Sequence, residues 1–295
     1  MGQIQKLEAD KVVLLFIKNY YLYFIAVSPN YSIPNMKNTK TSSAQISRRN
    51  FFRSAGIGTA AVAGLPLLTT SCTGPDPVKR IGDFFSNGDV VLFQGDSITD
   101  AGREKKRELA NNARSFGSGY ALVAASWLLE ALAEKELTIY NRGISGNKVF
   151  QLDERWDKDC LLLKPNVLSI LIGVNDYWHM RGGGYDGTPE VYENDFRALL
   201  TRTREAYPDI KLIICEPFVL SDTKAVDESW AEPFRPYQEI AQKICHEFGA
   251  TWVPFQEAFT GAAQIAHPTY WTGDGVHPSM AGAQLMAKTW LEALV

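Results

Sequence analysis

The sequence predicts an α/β fold: a single doubly wound, five-stranded parallel sheet in flavodoxin-like order, with helices on both faces. Three observations predict it. From residue 81 onward, short β-branched apolar runs alternate with longer amphipathic stretches, which is the pattern of successive βαβ units with right-handed crossovers. The apolar runs are mostly continuous rather than alternating, as expected of parallel strands covered on both faces. The longest connections all follow strand ends, at the carboxyl edge where open α/β sheets bind ligands. The composition, 45% hydrophobic and 21% charged over 295 residues, is enough for one sizeable core. A net charge of −3 without a basic stripe excludes a nucleic-acid surface.

The chain before that core reads as a targeting segment. Residues 12–27 are apolar and aromatic but interrupted by Lys18 and Asn19, and they are short for a spanning helix. Met36 opens an ordered series: basic residues, then Arg48-Arg49 followed by Phe51-Phe52, then a Gly/Ala-rich apolar run to Leu68. This series is similar to a bacterial twin-arginine export signal. Residues 1–35 are therefore expected to be an over-call of the start codon or disordered, the runner-up being a membrane anchor at 12–27. Residues 36–72 are expected to direct export to the periplasm or cell envelope. Ser71 before Cys72 resembles a lipoprotein processing site, although Thr69 stands where an aliphatic residue is usual. Lipidation of Cys72 would give membrane anchoring. Residues 73–80, with Pro75 and Pro77, read as a linker, and residues 81–295 as the folded domain.

Within that domain the expected strands are 89–94, 137–141, 166–172, 211–216 and 251–255. The stretch 119–132 carries Leu122, Ala125, Leu128, Leu129 and Leu132 at helical spacing. Helices are also expected over 149–163, over 189–206 behind Thr188-Pro189 as cap and first turn, over 236–248 and over 279–294. Three longer loops, 103–118, 177–187 and 219–236, leave the carboxyl edge and would shape a binding site. The four cysteines form no CxxC pair and no metal-type Cys/His spacing. Cys215, in an apolar run, reads as a buried and inert thiol.

Chemistry-bearing residues collect at the predicted strand ends. Ser97 follows the first strand in Gly95-Asp96-Ser97-Ile98-Thr99-Asp100. It is a candidate nucleophile, although a serine there could equally cap a helix. Asn141 to Asn147 follows the second strand and contains Gly143 and Gly146. The Gly146 N–H could donate into a site, or the segment could be a plain β–α turn. Asn175 follows the third strand in Gly173-Val174-Asn175-Asp176, where its amide could hold an oxyanion or shape a turn. Asp274 and His277 lie three apart in a Gly- and Pro-marked loop, where a carboxylate can orient an imidazole whose other nitrogen takes a proton from serine. The rival bases His179 and His267 have no acidic residue three positions before them in a comparable loop.

Together these residues resemble the SGNH hydrolases, also called GDSL esterases. Gly95-Asp96-Ser97 is similar to the family's nucleophile block, and Asn141 to Gly146 to its oxyanion-glycine block. Gly173 to Asp176 is similar to its Gly-x-Asn-Asp block, and Asp274 to His277 to its Asp-x-x-His block. The four occur in family order over residues 89–295. The fuller runs Gly95 to Arg103, Ser115 to Tyr120, Asn141 to Asn147 and Gly173 to Trp178 look like the carbohydrate-deacetylating branch, with acetylxylan esterases the nearest likeness.

The resemblance implies a serine esterase with Ser97 as nucleophile, His277 as base and Asp274 as its orienting carboxylate. Its oxyanion hole would be the N–H groups of Ser97 and Gly146 and the Asn175 side chain. No metal or organic cofactor is implied. The partner would be a small acylated carbohydrate, with an oligomer left open. Tyr177, Trp178, Tyr270 and Trp271 flank these blocks, where their rings would suit a sugar face, a short acyl chain or simple packing. A lipid esterase acting on long acyl chains is the alternative substrate reading, and a non-catalytic carbohydrate-binding lipoprotein the alternative class. A nucleotide-binding reading fails because Gly117-Ser118-Gly119 does not directly follow a predicted strand.

Overall fold

The computed structural model describes residues 76–295; the expectations for the export signal, for Cys72 and for residues 1–35 lie outside them. Five parallel strands, β1 (Val90–Gly95), β2 (Thr138–Asn141), β3 (Val167–Leu171), β4 (Lys211–Cys215) and β5 (Thr251–Val253), form one sheet in the order β2-β1-β3-β4-β5. This is the expected flavodoxin-like order. Every residue of β3 is buried, which is why its sequence runs Val-Leu-Ser-Ile-Leu with no polar alternation beyond Ser169. That hydroxyl is matched, receiving the Trp290 indole N–H at 2.9 Å.

Eleven α-helices accompany the strands among the described residues: α1 (Pro77–Phe84), α2 (Ser97–Asp100), α3 (Tyr120–Ala131), α4 (Val149–Glu154), α5 (Trp156–Asp159), α6 (Val174–Arg181), α7 (Pro189–Ala206), α8 (Ala231–Glu247), α9 (Phe255–Ala263), α10 (Pro268–Trp271) and α11 (Met280–Glu292). The chain steps one way from β1 to β2 and the other way from β3 through β4 to β5. Right-handed crossovers therefore put α3 on one face and α7 and α8 on the other. Contacts agree, since α3 packs on α11 while α7 packs on α8 and α4.

Four expectations are corrected. Pro77–Phe84 is a helix, with Asp76 accepting the Val78 N–H at 3.0 Å and Pro77 at the first turn. The last four residues assigned to the linker thus belong to the domain. The helix expected over 149–163 breaks at Arg155 and again at Cys160, where the Arg155 side chain turns onto the loop after β2. The helix expected from 236 begins at Ala231. Pro236 is tolerated inside it because the carbonyl it leaves free, on Glu232, is on an exposed residue. Much of the loop expected over 177–187 is the end of α6. A further helix, α9, occupies a stretch assigned no element.

Candidate active site

β1 ends at Gly95, whose φ of 153° suits glycine alone. A Cβ there would lie 2.3 Å from the Leu171 carbonyl oxygen of β3, so the backbone can turn tightly only without a side chain. Asp96 then caps α2, its Oδ1 accepting the Ile98 N–H at 2.9 Å. Ser97 is thereby placed as the first residue of α2, at the carboxyl edge of the sheet, partly open to solvent.

The loop before α11 meets it there. Ser97 Oγ lies 2.8 Å from His277 Nε2, and His277 Nδ1 lies 2.7 Å from Asp274 Oδ2. Asp274 Oδ1 also accepts the N–H groups of Val276 at 3.0 Å and His277 at 2.8 Å. Burial would raise the Asp274 carboxyl, but these bonds outweigh it and hold it below the ordinary carboxylate range. The ionised carboxylate keeps the proton on Nδ1, so Nε2 is the lone pair that faces the serine hydroxyl. The loop itself is pinned by Leu220 N–H to the Gly275 carbonyl at 2.8 Å and Ala225 N–H to the Asp274 carbonyl at 3.1 Å. Gly275 has φ 95°, and a Cβ there would meet Thr223 Oγ1 at 2.4 Å, so only glycine lets the 219–226 segment brace this loop.

The oxyanion candidates are tied to the same turn. Asp100, fully buried in α2, accepts both the Ser145 N–H at 2.9 Å and the Ser145 hydroxyl at 2.6 Å on Oδ2. Lys105 pairs with the same oxygen at 2.6 Å. Asn141 donates to the carbonyls of Thr99 at 2.6 Å and Phe116 at 2.9 Å and accepts the Gly143 N–H. From the other side, Arg155 donates to Asn147 Oδ1 and to the Arg142 carbonyl, each at 2.8 Å. Gly146 sits inside this clamp at φ 82°. Asn175, in the first turn of α6, points its amide at the Asn147 carbonyl, 3.3 Å away. Among the described residues the N–H groups of Ser97 and Gly146 donate to nothing. Two unengaged backbone donors, with the second N–H of the Asn175 amide, are thus the candidates to receive a developing oxyanion if Ser97 is the nucleophile.

Two carboxyls lie behind the site. Burial pushes both Asp96 and Asp176 up to about 7. Each holds one backbone N–H, from Ile98 and Val149 respectively, and keeps one oxygen without a partner among the described residues. In the proton-bearing form they act as neutral turn-formers.

A cleft of about 370 Å³ opens beside the oxyanion candidates, lined by Asn175, Trp178, His179, Gly182 and Gly184. Trp178 therefore borders the site. Tyr177 does not: it is 1% exposed and packs on Trp230, Phe234 and Tyr237, because the period of α6 turns that side chain into the core. Trp271 is half-buried, its indole N–H committed to the Ala262 and Ala266 carbonyls; Tyr270 is largely exposed. His179 lies in the cleft but makes no bond to Ser97. His267 instead pairs with Asp222 and Thr269. Asp100, Asn141 and Arg155 are the residues that reading by motif passed over. Asp100 and Asn141 lie within quoted blocks, yet the sequence does not show that each spans two of them.

Comparison with known proteins places these residues in context. Residues 93–285 match the GDSL-like Lipase/Acylhydrolase family. A curated acetylxylan esterase of Geobacillus stearothermophilus is 30% identical over 210 residues, 70% of this chain and 94% of that protein. Among solved structures, one described as a GDSL-like lipase from Parabacteroides merdae is 52% identical with a TM-score of 0.70, covering 72% of this chain and 98% of its own. The acetylxylan esterase of G. stearothermophilus superposes with a TM-score of 0.65 at 29% identity, over 71% of this chain and 95% of that one.

Proposed function

The chain belongs to the GDSL-like Lipase/Acylhydrolase family and is a carboxylic ester hydrolase, and on that premise we propose that it removes acetyl groups from carbohydrate, xylo-oligosaccharide in particular, through an acyl-enzyme on Ser97. The observation that carries the mechanism is the continuous Ser97–His277–Asp274 chain at 2.8 and 2.7 Å. His277 takes the serine proton as Oγ attacks the ester carbonyl. The oxyanion that forms is received by the Ser97 and Gly146 N–H groups and by the Asn175 amide. His277 then returns the proton to the departing sugar hydroxyl, and water repeats the cycle on the acetyl-serine. Asp274 keeps the imidazole in one tautomer and balances its charge in each transition state.

Two observations support a short acyl group on a sugar. The cleft has a single large apolar side chain in its lining, Trp178, among glycines, an amide and an imidazole; a long acyl chain needs more apolar wall than that. The relatives at about 30% identity are named for acetylated xylan. Export to the cell envelope, with Cys72 lipidated, belongs to the same proposal and rests on the Arg48-Arg49 series and Ser71-Cys72. Labelling cells with a palmitate analogue, with and without Cys72→Ser, tests that part; an unlabelled parent ends it.

The substrate test is a set of initial rates on acetyl, butyryl and octanoyl aryl esters and on acetylated xylo-oligosaccharides, with Ser97→Ala as control. The proposal expects preference for acetyl, release of acetate from the saccharide, and loss of both in the control. Preference for octanoyl would replace it with the lipid-esterase reading.

A further inference from the structure

Lys148 lies two residues beyond Gly146, and the mechanism above makes no use of it. Its side chain is nine-tenths buried, 8% exposed. The ammonium stands 5.6 Å from the Phe150 ring centroid and 5.3 Å from that of Tyr185, the two rings being 5.3 Å apart. Among the described residues it joins no ion pair and donates no hydrogen bond; its backbone N–H alone donates, to Gln151 Oε1. Lys105, Lys158 and Lys243, all more exposed, each have a carboxylate. An ammonium carries three donors; the stem of Lys148 is buried while Nζ is not among the enclosed unpartnered atoms, so those donors face water that a ligand oxygen can replace. The two rings attract the ammonium by cation–π contact but leave its N–H directions open.

The surroundings show where those donors are needed. The Asn147 carbonyl, next in the chain, receives the Asn175 amide, and Tyr185 follows Gly184, which lines the cleft. The charge also reaches His179 in that cleft, whose imidazole is lowered first by burial and then by Lys148. Nearby carboxyls are otherwise engaged. Asp176 is protonated up to about 7 and bound to the Val149 N–H. Asp100 is held by Ser145 and Lys105. Arg181, though on α6, spends its guanidinium on the Tyr177 hydroxyl, the Ser229 hydroxyl and the Trp230 ring. Lys148 thus stands close to the cleft's His179, with the two rings together on one side of its ammonium and no carboxylate paired with it among the described residues.

We propose that Lys148, with Tyr185 and Phe150, forms a subsite for a carboxylate-bearing sugar, so that the enzyme prefers acetyl esters on saccharides that carry a uronic acid close to the acetylated residue. The carboxylate completes the ammonium's hydrogen bonds, and the ring faces border the sugar that bears it. This inference rests on the saccharide reading above. The test compares kcat/KM on acetylated xylo-oligosaccharides with and without a uronic acid, in the full-length protein and in Lys148→Met, with an aryl acetate as a third substrate. The parent is expected to favour the acidic saccharide by about tenfold, mainly through KM, as for one well-placed charge pair. That preference should shrink as salt rises. Lys148→Met should bring the ratio close to one. A parent ratio near one, a preference insensitive to salt, or a ratio retained in Lys148→Met would each overturn the inference while leaving deacetylation in place. Turnover of the aryl acetate with no turnover of any acetylated saccharide would overturn the saccharide reading, and this inference with it.

Discussion

Asp100→Asn isolates the link between the nucleophile turn and the oxyanion loop. In the parent, Asp100 Oδ2 receives the Ser145 N–H, the Ser145 hydroxyl and the Lys105 ammonium, and Oδ1 receives the Arg103 N–H at 3.2 Å. The amide can keep its oxygen on Ser145, but both bonds become neutral ones. The difference between charged and neutral hydrogen bonds is roughly 1 kcal/mol each, so about 2 kcal/mol is lost there. The Lys105 pair adds little, because that lysine is half exposed. The new NH₂ group confronts the Arg103 N–H, two donors face to face, for about another 1 kcal/mol. A total of about 3 kcal/mol should appear as a lower Tm. Asn141 and Arg155 still hold the loop, so the Gly146 donor is misplaced rather than removed. Deleting an oxyanion donor outright costs about 10²–10³ in kcat, and Asp100→Asn should therefore cost about 10–100-fold with KM nearly constant. The assays are aryl acetate kinetics and thermal unfolding of the two proteins side by side. A fall in Tm with parental kcat would show that Asp100 only braces the fold, and parental Tm would show that its bonds to Ser145 carry no energy.

Three further outcomes follow from the same geometry. Asn175→Ala should lower kcat by about 10²–10³ with little change in KM or Tm; an equal loss in stability and activity would mean that its bond to Asn147 is what matters. Gly146→Ala and Gly143→Ala should separate, as judged by soluble yield and kcat. A Cβ on Gly146 meets nothing within 4 Å, so the variant folds with a positive-φ strain of about 1–2 kcal/mol and loses turnover. A Cβ on Gly143 would sit 2.5 Å from the Asp100 nitrogen, so that variant fails to fold. For pH, the unfolded Asp176 carboxyl ionises near ~3.9 whereas in the fold it stays protonated up to about 7. The unfolded state thus holds fewer protons in that window, and this residue's contribution to stability declines as pH rises through it. Asp176→Asn removes that slope, so its Tm should fall less than the parent's between pH 5 and pH 7; identical slopes would contradict the raised carboxyl.

What the sequence could show was set by length scale. Continuous apolar runs such as Val-Leu-Ser-Ile-Leu are explained only by burial on both faces, so strands and their order were legible. Triad spacing was legible as well, because Asp274 and His277 share one loop and their geometry is local. Short helices were not: α6, capped by Gly173, opens with Val174-Asn175-Asp176, whose Asn and Asp favour turns, and its helical state is supported by packing of Tyr177 against α8. That packing also decides between the readings left open for Tyr177, in favour of packing. Adjacent aromatic residues on a helix point about 100° apart, so Trp178 can reach the cleft only if Tyr177 turns away from it. The Pro236 boundary failed because a proline marks a helix start only when nothing upstream favours helix; here the Asp227 cap and the turn at Glu228–Trp230 do. Lys148 was invisible for a different reason, since one of the two rings beside its ammonium, Tyr185, comes thirty-seven positions later in the chain.

The central claim is that Ser97 is the acylated residue and that His277 activates it. Labelling the full-length protein with a fluorophosphonate, followed by peptide mapping, tests this most directly. A single adduct on the peptide containing Ser97 is predicted, absent in Ser97→Ala and slowed by orders of magnitude in His277→Ala. An adduct on another residue, or esterase turnover that survives in Ser97→Ala, would contradict it.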